Sequence, residues 1–169
     1  MKNQIEIERK YIIKMPSESE MAEMADYKSD RIIQIYLPSE NRTTRRVRSR
    51  SGESGAVYTE TEKIRIDKMS SVERERQISE EEFLRLCAVP RKNTVPIEKT
   101  RHTFKYEGQV FEIDIYPGWK RTAIMETELS ERDAEVKMPD FIEIVREVTG
   151  IREYSNSAMS EHFPVEDYL

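Results

Sequence analysis

The sequence predicts an α+β fold dominated by antiparallel strands, and three observations carry that reading. Eight runs have strand character, at about 3–14, 31–37, 43–50, 56–66, 72–78, 96–107, 109–116 and 122–130, against four short helical pieces. TFKYEGQVFEIDIY, residues 103–116, reads as a hairpin turning at Glu107-Gly108, so its two arms are antiparallel neighbours. Ionisable residues recur at alternate positions in strand after strand, which is the period of a pleated sheet. Eight strands that curl shut form a barrel able to hold side chains or a small ligand inside, with the helices covering its apolar outer face.

In strand one, Glu6, Glu8 and Lys10 share one face while Ile5 and Ile7 occupy the other. SESEMAEMADY at 17–27 predicts a helix, and RIIQIYL at 31–37 a strand. The next three strands carry Arg46 and Arg48, then Thr61 and Lys63, then Glu73 and Glu75 on a common face. A Ser79/Glu82 capping box opens a helix at 80–88, and residues 90–94 connect it to the strand bearing Lys99 and Arg101. In the hairpin's second arm Glu112 and Asp114 oppose Phe111, Ile113 and Ile115; the last strand sets Glu126 and Glu128 against Met125 and Leu129. Pro139 and Gly150 bracket an expected helix at 139–149, and another is expected at 156–162. No repeat or linker divides the chain, which reads as one domain over 1–169.

Composition narrows the function. A formal net charge of -5 and a pI near 5.3 argue against a general nucleic-acid or anionic-membrane binder. One cysteine, Cys87, and two histidines, His102 and His162, exclude an internal disulfide framework and leave too few ligands for structural zinc. With no apolar leader and no run of membrane-spanning length, a cytoplasmic location is expected. Cys87, Trp119 and Tyr154 read as packing residues, and His102 has the wrong parity to share the charged face.

Any one E-x-E or R-x-R on a strand is most simply a solvated sheet face. Taken together the pairs segregate by sign, whereas a solvated surface intersperses signs. Eight carboxylates in one lumen (Glu6, Glu8, Glu73, Glu75, Glu112, Asp114, Glu126 and Glu128) cannot all stay ionised without cations. Lys10, Arg46, Arg48, Lys63, Lys99 and Arg101 balance part of that charge. Carboxylate-only donors suit Mg²⁺ or Mn²⁺ held jointly with substrate phosphates, and arginine matches phosphate oxygens bidentately. The chemical reading is a metal plus a polyphosphate.

Glu6-Ile7-Glu8-Arg9-Lys10 resembles the E-x-E-x-K signature of the CYTH superfamily, the triphosphate tunnel metalloenzymes. R-V-R at 46–48, T-E-K at 61–63, E-R-E at 73–75, E-K-T-R at 98–101, F-E-I-D at 111–114 and M-E-T-E at 125–128 follow in that family's order, and REVTGIREYSNSAMS resembles its C-terminal segment. The resemblance implies an eight-stranded antiparallel barrel flanked by helices, whose hydrophilic tunnel binds a triphosphate and one or two divalent cations. Carried over by position, it makes Lys10, Arg46, Arg48, Lys63, Lys99 and Arg101 phosphate ligands. It places Glu6, Glu8, Glu73, Glu75, Glu126 and Glu128 around metal and water, with Asp114 and Glu112 second in rank. The expected catalytic set is Glu6, Glu8, Lys10, Glu126 and Glu128.

TRRVRSR is denser in arginine than the pattern requires, so Arg48 and Arg50 compete with Arg46 and Arg48 as the inward pair. Ser157 stands where some hydrolytic relatives have lysine, and the final helix is assigned no catalytic role. The preferred activity is hydrolysis of inorganic tripolyphosphate by metal-activated water attacking a terminal phosphoryl group. Thiamine triphosphatase and class IV adenylyl cyclase are the enzymatic alternatives, and a non-catalytic polyphosphate or nucleotide sensor is the alternative from another class. A sensor gains nothing from carboxylates facing its anionic ligand unless a cation intervenes.

Overall fold

The computed structural model describes residues 3–40 and 42–166. They form nine strands: β1 Asn3–Lys14, β2 Ala25–Leu37, β3 Thr43–Gly52, β4 Gly55–Arg65, β5 Ser70–Ile78, β6 Ile97–Tyr106, β7 Gln109–Ile115, β8 Thr122–Glu128 and β9 Ile144–Glu147. Their order is β5-β4-β3-β2-β6-β7-β8-β1-β9, and an additional β1–β5 pairing closes the first eight into an antiparallel barrel. β1 makes that closure by dividing its length. Glu8–Lys14 pairs with β8 on one edge, while Asn3–Ile7 pairs with Ser70–Arg74 of β5 on the other.

The β6–β7 turn has the expected form, with Glu107 at φ 48° and Gly108 at φ 76°. Two consecutive left-handed residues match the twist of the flanking strands. Half of the expected capping box forms: Ser79 Oγ accepts a hydrogen bond from the Glu82 amide at 3.1 Å and opens α2, Glu80–Cys87, while the Glu82 carboxylate turns to Arg76. Ser155 does the same for α3, Asn156–Glu161, through the Ala158 amide.

Two expected helices differ from the structure. The 17–27 helix is only α1, Glu18–Ala22, and β2 begins at Ala25 rather than 31. Asp26 takes φ 54° and the register shifts between Ala25 and Lys28, which lets β2 run along β6 as far as Lys105. The 139–149 segment is not helical. Its Ile144–Glu147 portion becomes β9 on the edge that β1 leaves unpaired past the β5 contact, joining Tyr11–Ile13. Satisfying that open edge outweighs the helical pattern, and Ile144 and Val145 are good strand formers.

Apolar residues form three clusters. Outside the barrel, Tyr11, Ile13, Phe104, Phe111, Ile113 and Met125 pack under Met21 of α1 and Val136, Met138, Phe141 and Ile142 of an irregular cover. Phe83 and Leu86 of α2 seal Leu37, Val47 and Ile78. The third cluster contains inward residues of the barrel: Ile12, Tyr36, Ile97, Tyr116 and Ile124 meet Trp119, Val148, Tyr154 and Met159. These strand positions share parity with Lys10, Lys99, Asp114 and Glu126, so the lumen changes along its axis from charged to apolar. Trp119 and Tyr154 are packing residues, as expected, and Cys87 packs half-buried against the α2 cluster. His102 is buried beneath Tyr27, whose hydroxyl lies 2.9 Å from its Nδ1. Among the described residues no helix is long and apolar enough to cross a membrane.

Candidate active site

The lumen encloses a cavity of about 920 Å³. Glu6, Glu8 and Lys10 of β1, Arg46 and Arg48 of β3, Lys63 of β4, Glu73 and Glu75 of β5, Arg101 of β6, Glu112 of β7, and Glu126 and Glu128 of β8 all line it. Register explains the convergence. Arg46 faces Thr61, Lys63 faces Glu73, Lys10 faces Glu126 and Glu8 faces Glu128, so one inward parity is handed around the barrel. Arg50 also lines the cavity, so three of the four arginines of β3 share the inward face.

Lys99 and Asp114 sit deeper, outside the cavity wall, and are almost fully buried. Asp114 accepts from Lys99 Nζ at 2.6 Å and takes a fork from Arg101, Nε to Oδ1 and Nη2 to Oδ2, each at 2.7 Å. Arg101 Nη1 also donates to Glu112. Burial alone would raise the Asp114 pKa, but Arg101 and Lys99 outweigh it and hold it at about 2. Burial pushes the Lys99 ammonium down to about 7, and the like charges of Arg101 and Arg48 add to that against the pull of Asp114 and Glu126. The expected metal role of Asp114 and phosphate role of Lys99 meet a geometry in which each is already occupied. Their position suits them to fix Arg101.

At the cavity wall, Lys10 Nζ lies 2.8 Å from Glu126 and donates to the Tyr154 carbonyl at 3.2 Å. Arg101 approaches Glu126 at 3.7 Å. Despite burial, which opposes ionisation, Lys10, Arg101 and Lys99 hold the Glu126 carboxyl well below the usual range. Lys63 stands among three acids, 2.9 Å from Glu73, 3.5 Å from Glu8 and 3.9 Å from Glu6. Glu75 accepts from Thr61 Oγ1 at 2.8 Å.

Glu6 is less well balanced. Its carboxyl is raised to about 7, first by burial and next by Glu73, with Glu8 and Glu128 adding to it and Lys63 opposing it. Glu8 and Glu128 are directly opposite across the β1–β8 ladder, a like-charge pairing that opposes the fold unless a cation intervenes. Among the described residues no three acids form a ready-made cage. Mg²⁺ rarely uses such cages; it keeps waters and binds through one or two carboxylates plus substrate phosphates. Glu6, Glu8 and Glu128 offer the kind of all-oxygen donors that a hard divalent cation takes.

Several wall residues carried no strand-period signal. Arg42 and Lys68 lie in loops, while Arg91 and the 148–158 segment approach from outside the barrel; Arg65, at the end of β4, continues the parity of Thr61 and Lys63. Thr149 Oγ1 accepts from the Lys10 amide at 3.0 Å, tying that segment to β1. Gly150, at φ 74°, passes so close to Lys68 that a Cβ there would lie 2.8 Å from the lysine Cβ. A side chain is excluded for a second reason at Gly52, where a Cβ would fall 2.0 Å from Asp30 Oδ1. Gly52→Ala is expected to dislodge Asp30 from Arg50 and destabilise the fold by about 1–3 kcal/mol, measurable by thermal unfolding.

The closed eight-stranded antiparallel barrel and its charged lumen have the architecture that the resemblance to the CYTH superfamily implies. No protein-family model and no curated protein matches the chain. Solved structures do. The inorganic triphosphatase NE1496 is 25% identical, with a TM-score of 0.61, covering 95% of this chain and 97% of that one. A second structure of NE1496, described as a hypothetical protein, is 26% identical with a TM-score of 0.60, over 94% and 99%. PH1012 from Pyrococcus horikoshii OT3 shares the fold at 18% identity and a TM-score of 0.53, over 76% of this chain and 81% of that one.

Proposed function

We propose that the protein is a divalent-metal-dependent triphosphatase that cleaves inorganic tripolyphosphate to pyrophosphate and orthophosphate. The observation that carries this reading is the cavity wall, where Arg46, Arg48, Lys63 and Arg101 face a lumen shared with the acids Glu6, Glu8 and Glu128. Similarity to the inorganic triphosphatase NE1496 over nearly the whole of both chains supports it.

Arg46, Arg48, Lys63 and Arg101 bind the anionic oxygens and align the chain of phosphates along the tunnel. Lys10 adds a further cation, and Glu126 acts by holding Lys10 and Arg101 in place. Glu6, Glu8 and Glu128 hold Mg²⁺ or Mn²⁺; when bound, such a cation offsets triphosphate charge and activates the attacking water. Water forms the new P–O bond as the bridging P–O bond breaks. Its proton leaves with orthophosphate, and the basic side chains stabilise the charge left on pyrophosphate.

The test is phosphate release from tripolyphosphate, ATP and thiamine triphosphate under Mg²⁺, Mn²⁺ or EDTA, with ATP reactions assayed for cyclic AMP. Metal-dependent release that is fastest on tripolyphosphate is expected. Cyclic AMP formation would replace hydrolysis with cyclisation. Three intact substrates, with tripolyphosphate still raising the melting temperature, would leave a binding protein in place of an enzyme.

A further inference from the structure

The three inward arginines of β3 are backed by β2, and the backing differs in charge. Arg50 Nε donates to Asp30 Oδ2 at 2.6 Å, so its charge is largely met within the protein. Arg48 faces Gln34 across the ladder, and both its Nε and Nη2 donate to Gln34 Oε1 at 3.3 Å. Among the described residues Arg48 makes no ion pair, and Glu75 and Glu73 favour its charge only from a distance. Arg46 faces Tyr36, meets Glu73 at 3.9 Å, and keeps a buried Nε–H without a hydrogen-bond partner.

Gln34 is fully buried behind Arg48 and is absent from the cavity wall. Its orientation is fixed, because a guanidinium has only donors and must face the amide oxygen. The amide nitrogen then donates to the Tyr36 hydroxyl at 3.1 Å. A buried cation held by a neutral acceptor is costly, and burial with Arg46 and Arg101 nearby lowers Arg48 to about 9. A glutamate of the same shape would relieve that cost, yet the position holds glutamine.

We propose that Gln34 is a positioning residue that aims the Arg48 guanidinium into the tunnel without neutralising it, making Arg46 and Arg48 the anion-binding pair and leaving Arg50 as an internally paired wall residue. This rests on the triphosphatase reading and deepens it by assigning the strength of anion binding to an uncharged side chain behind the wall. Gln34→Glu would convert the two 3.3 Å contacts into an ion pair with Arg48. The Tyr36 hydroxyl can rotate to donate to the new carboxylate, so the fold tolerates the change.

The experiment compares wild type, Gln34→Glu, Arg48→Ala and the double variant. Tripolyphosphate affinity is measured by calorimetry in EDTA, and KM, kcat and melting temperature with Mg²⁺. Gln34→Glu is expected to weaken affinity and raise KM about tenfold, the scale of one charge-assisted hydrogen bond, with a smaller change in kcat and no fall in melting temperature. In the Arg48→Ala background it is expected to change affinity less than twofold. An equal loss in both backgrounds, or no loss at all, would overturn the proposal. If Gln34→Glu does not fold, Gln34→Met decides, and wild-type affinity in that variant overturns it. Wild-type protein that binds and cleaves tripolyphosphate while Gln34→Glu behaves identically sinks this inference alone; wild type that neither binds nor cleaves it sinks the triphosphatase reading as well.

Discussion

Asp114→Asn is expected to destabilise the protein by about 3–5 kcal/mol, the cost of leaving buried charge uncompensated. Asp114 is shared by Lys99 and Arg101, both nearly excluded from water, and asparagine keeps the shape while removing the charge that permits two cations to lie side by side. For a domain of this size each kcal/mol shifts the melting temperature by roughly 2–4 °C, so a fall on the order of 10 °C should be seen by calorimetry or circular dichroism. The double variant Lys99→Met, Asp114→Asn is expected to recover a large part of the loss, since an apolar residue of similar volume removes one uncompensated charge. Glu112→Gln is the contrasting case. It touches the same guanidinium at the partly exposed rim of the site and should cost much less. Equal losses from both substitutions would show that Asp114 is not the pivot of the cluster.

Lys63→Ala is expected to reduce tripolyphosphate hydrolysis by about 10²- to 10³-fold, the range for removing one preorganised charge stabiliser. Two effects act together. Phosphate loses a cation, and Glu6, Glu8 and Glu73 lose the ammonium that stands among them. The second effect gives a readout independent of turnover: without substrate, Mg²⁺ or Mn²⁺ should raise the melting temperature of Lys63→Ala more than that of wild type. Unchanged activity would remove Lys63 from the site, and an equal metal response would remove it from the acid cluster.

The barrel was legible because its signal is periodic. Glu112 and Asp114 against Phe111 and Ile113, or Glu126 and Glu128 against Met125 and Leu129, separate the charged side of each strand from the apolar one. Ladder register then carries that parity around the ring, and twelve of the fourteen charged residues named from the sequence reach the cavity wall. Lys99 and Asp114 share that parity but lie deeper than the wall, since alternation distinguishes faces and not layers along the barrel axis. Depth is set by the plug of Ile12, Ile97, Tyr116 and Ile124, whose packing with Trp119 and Met159 joins distant parts of the chain.

Gln34 and Tyr36 were obscured for another reason. RIIQIYL reads as an apolar strand, and its beginning was hidden because the Met-containing segment before it mimics a helix until the Ala25–Lys28 bulge is seen. The C-terminal wall carried no usable period. Residues 148–158 combine a turn, a short 3-10 helix and the start of α3, and their place follows from the edge that β1 offers to β9. The helix expected at 139–149 failed there because a vacant strand edge is a tertiary fact.

The most direct test of the central claim is a crystal structure grown with tripolyphosphate and Mn²⁺, using anomalous scattering to locate the metal. Phosphate density between Arg46, Arg48, Lys63 and Arg101, with an anomalous peak against Glu6, Glu8 or Glu128, is the predicted result. Phosphate bound outside the barrel, or a metal peak remote from those acids while the lumen holds only water, would contradict it.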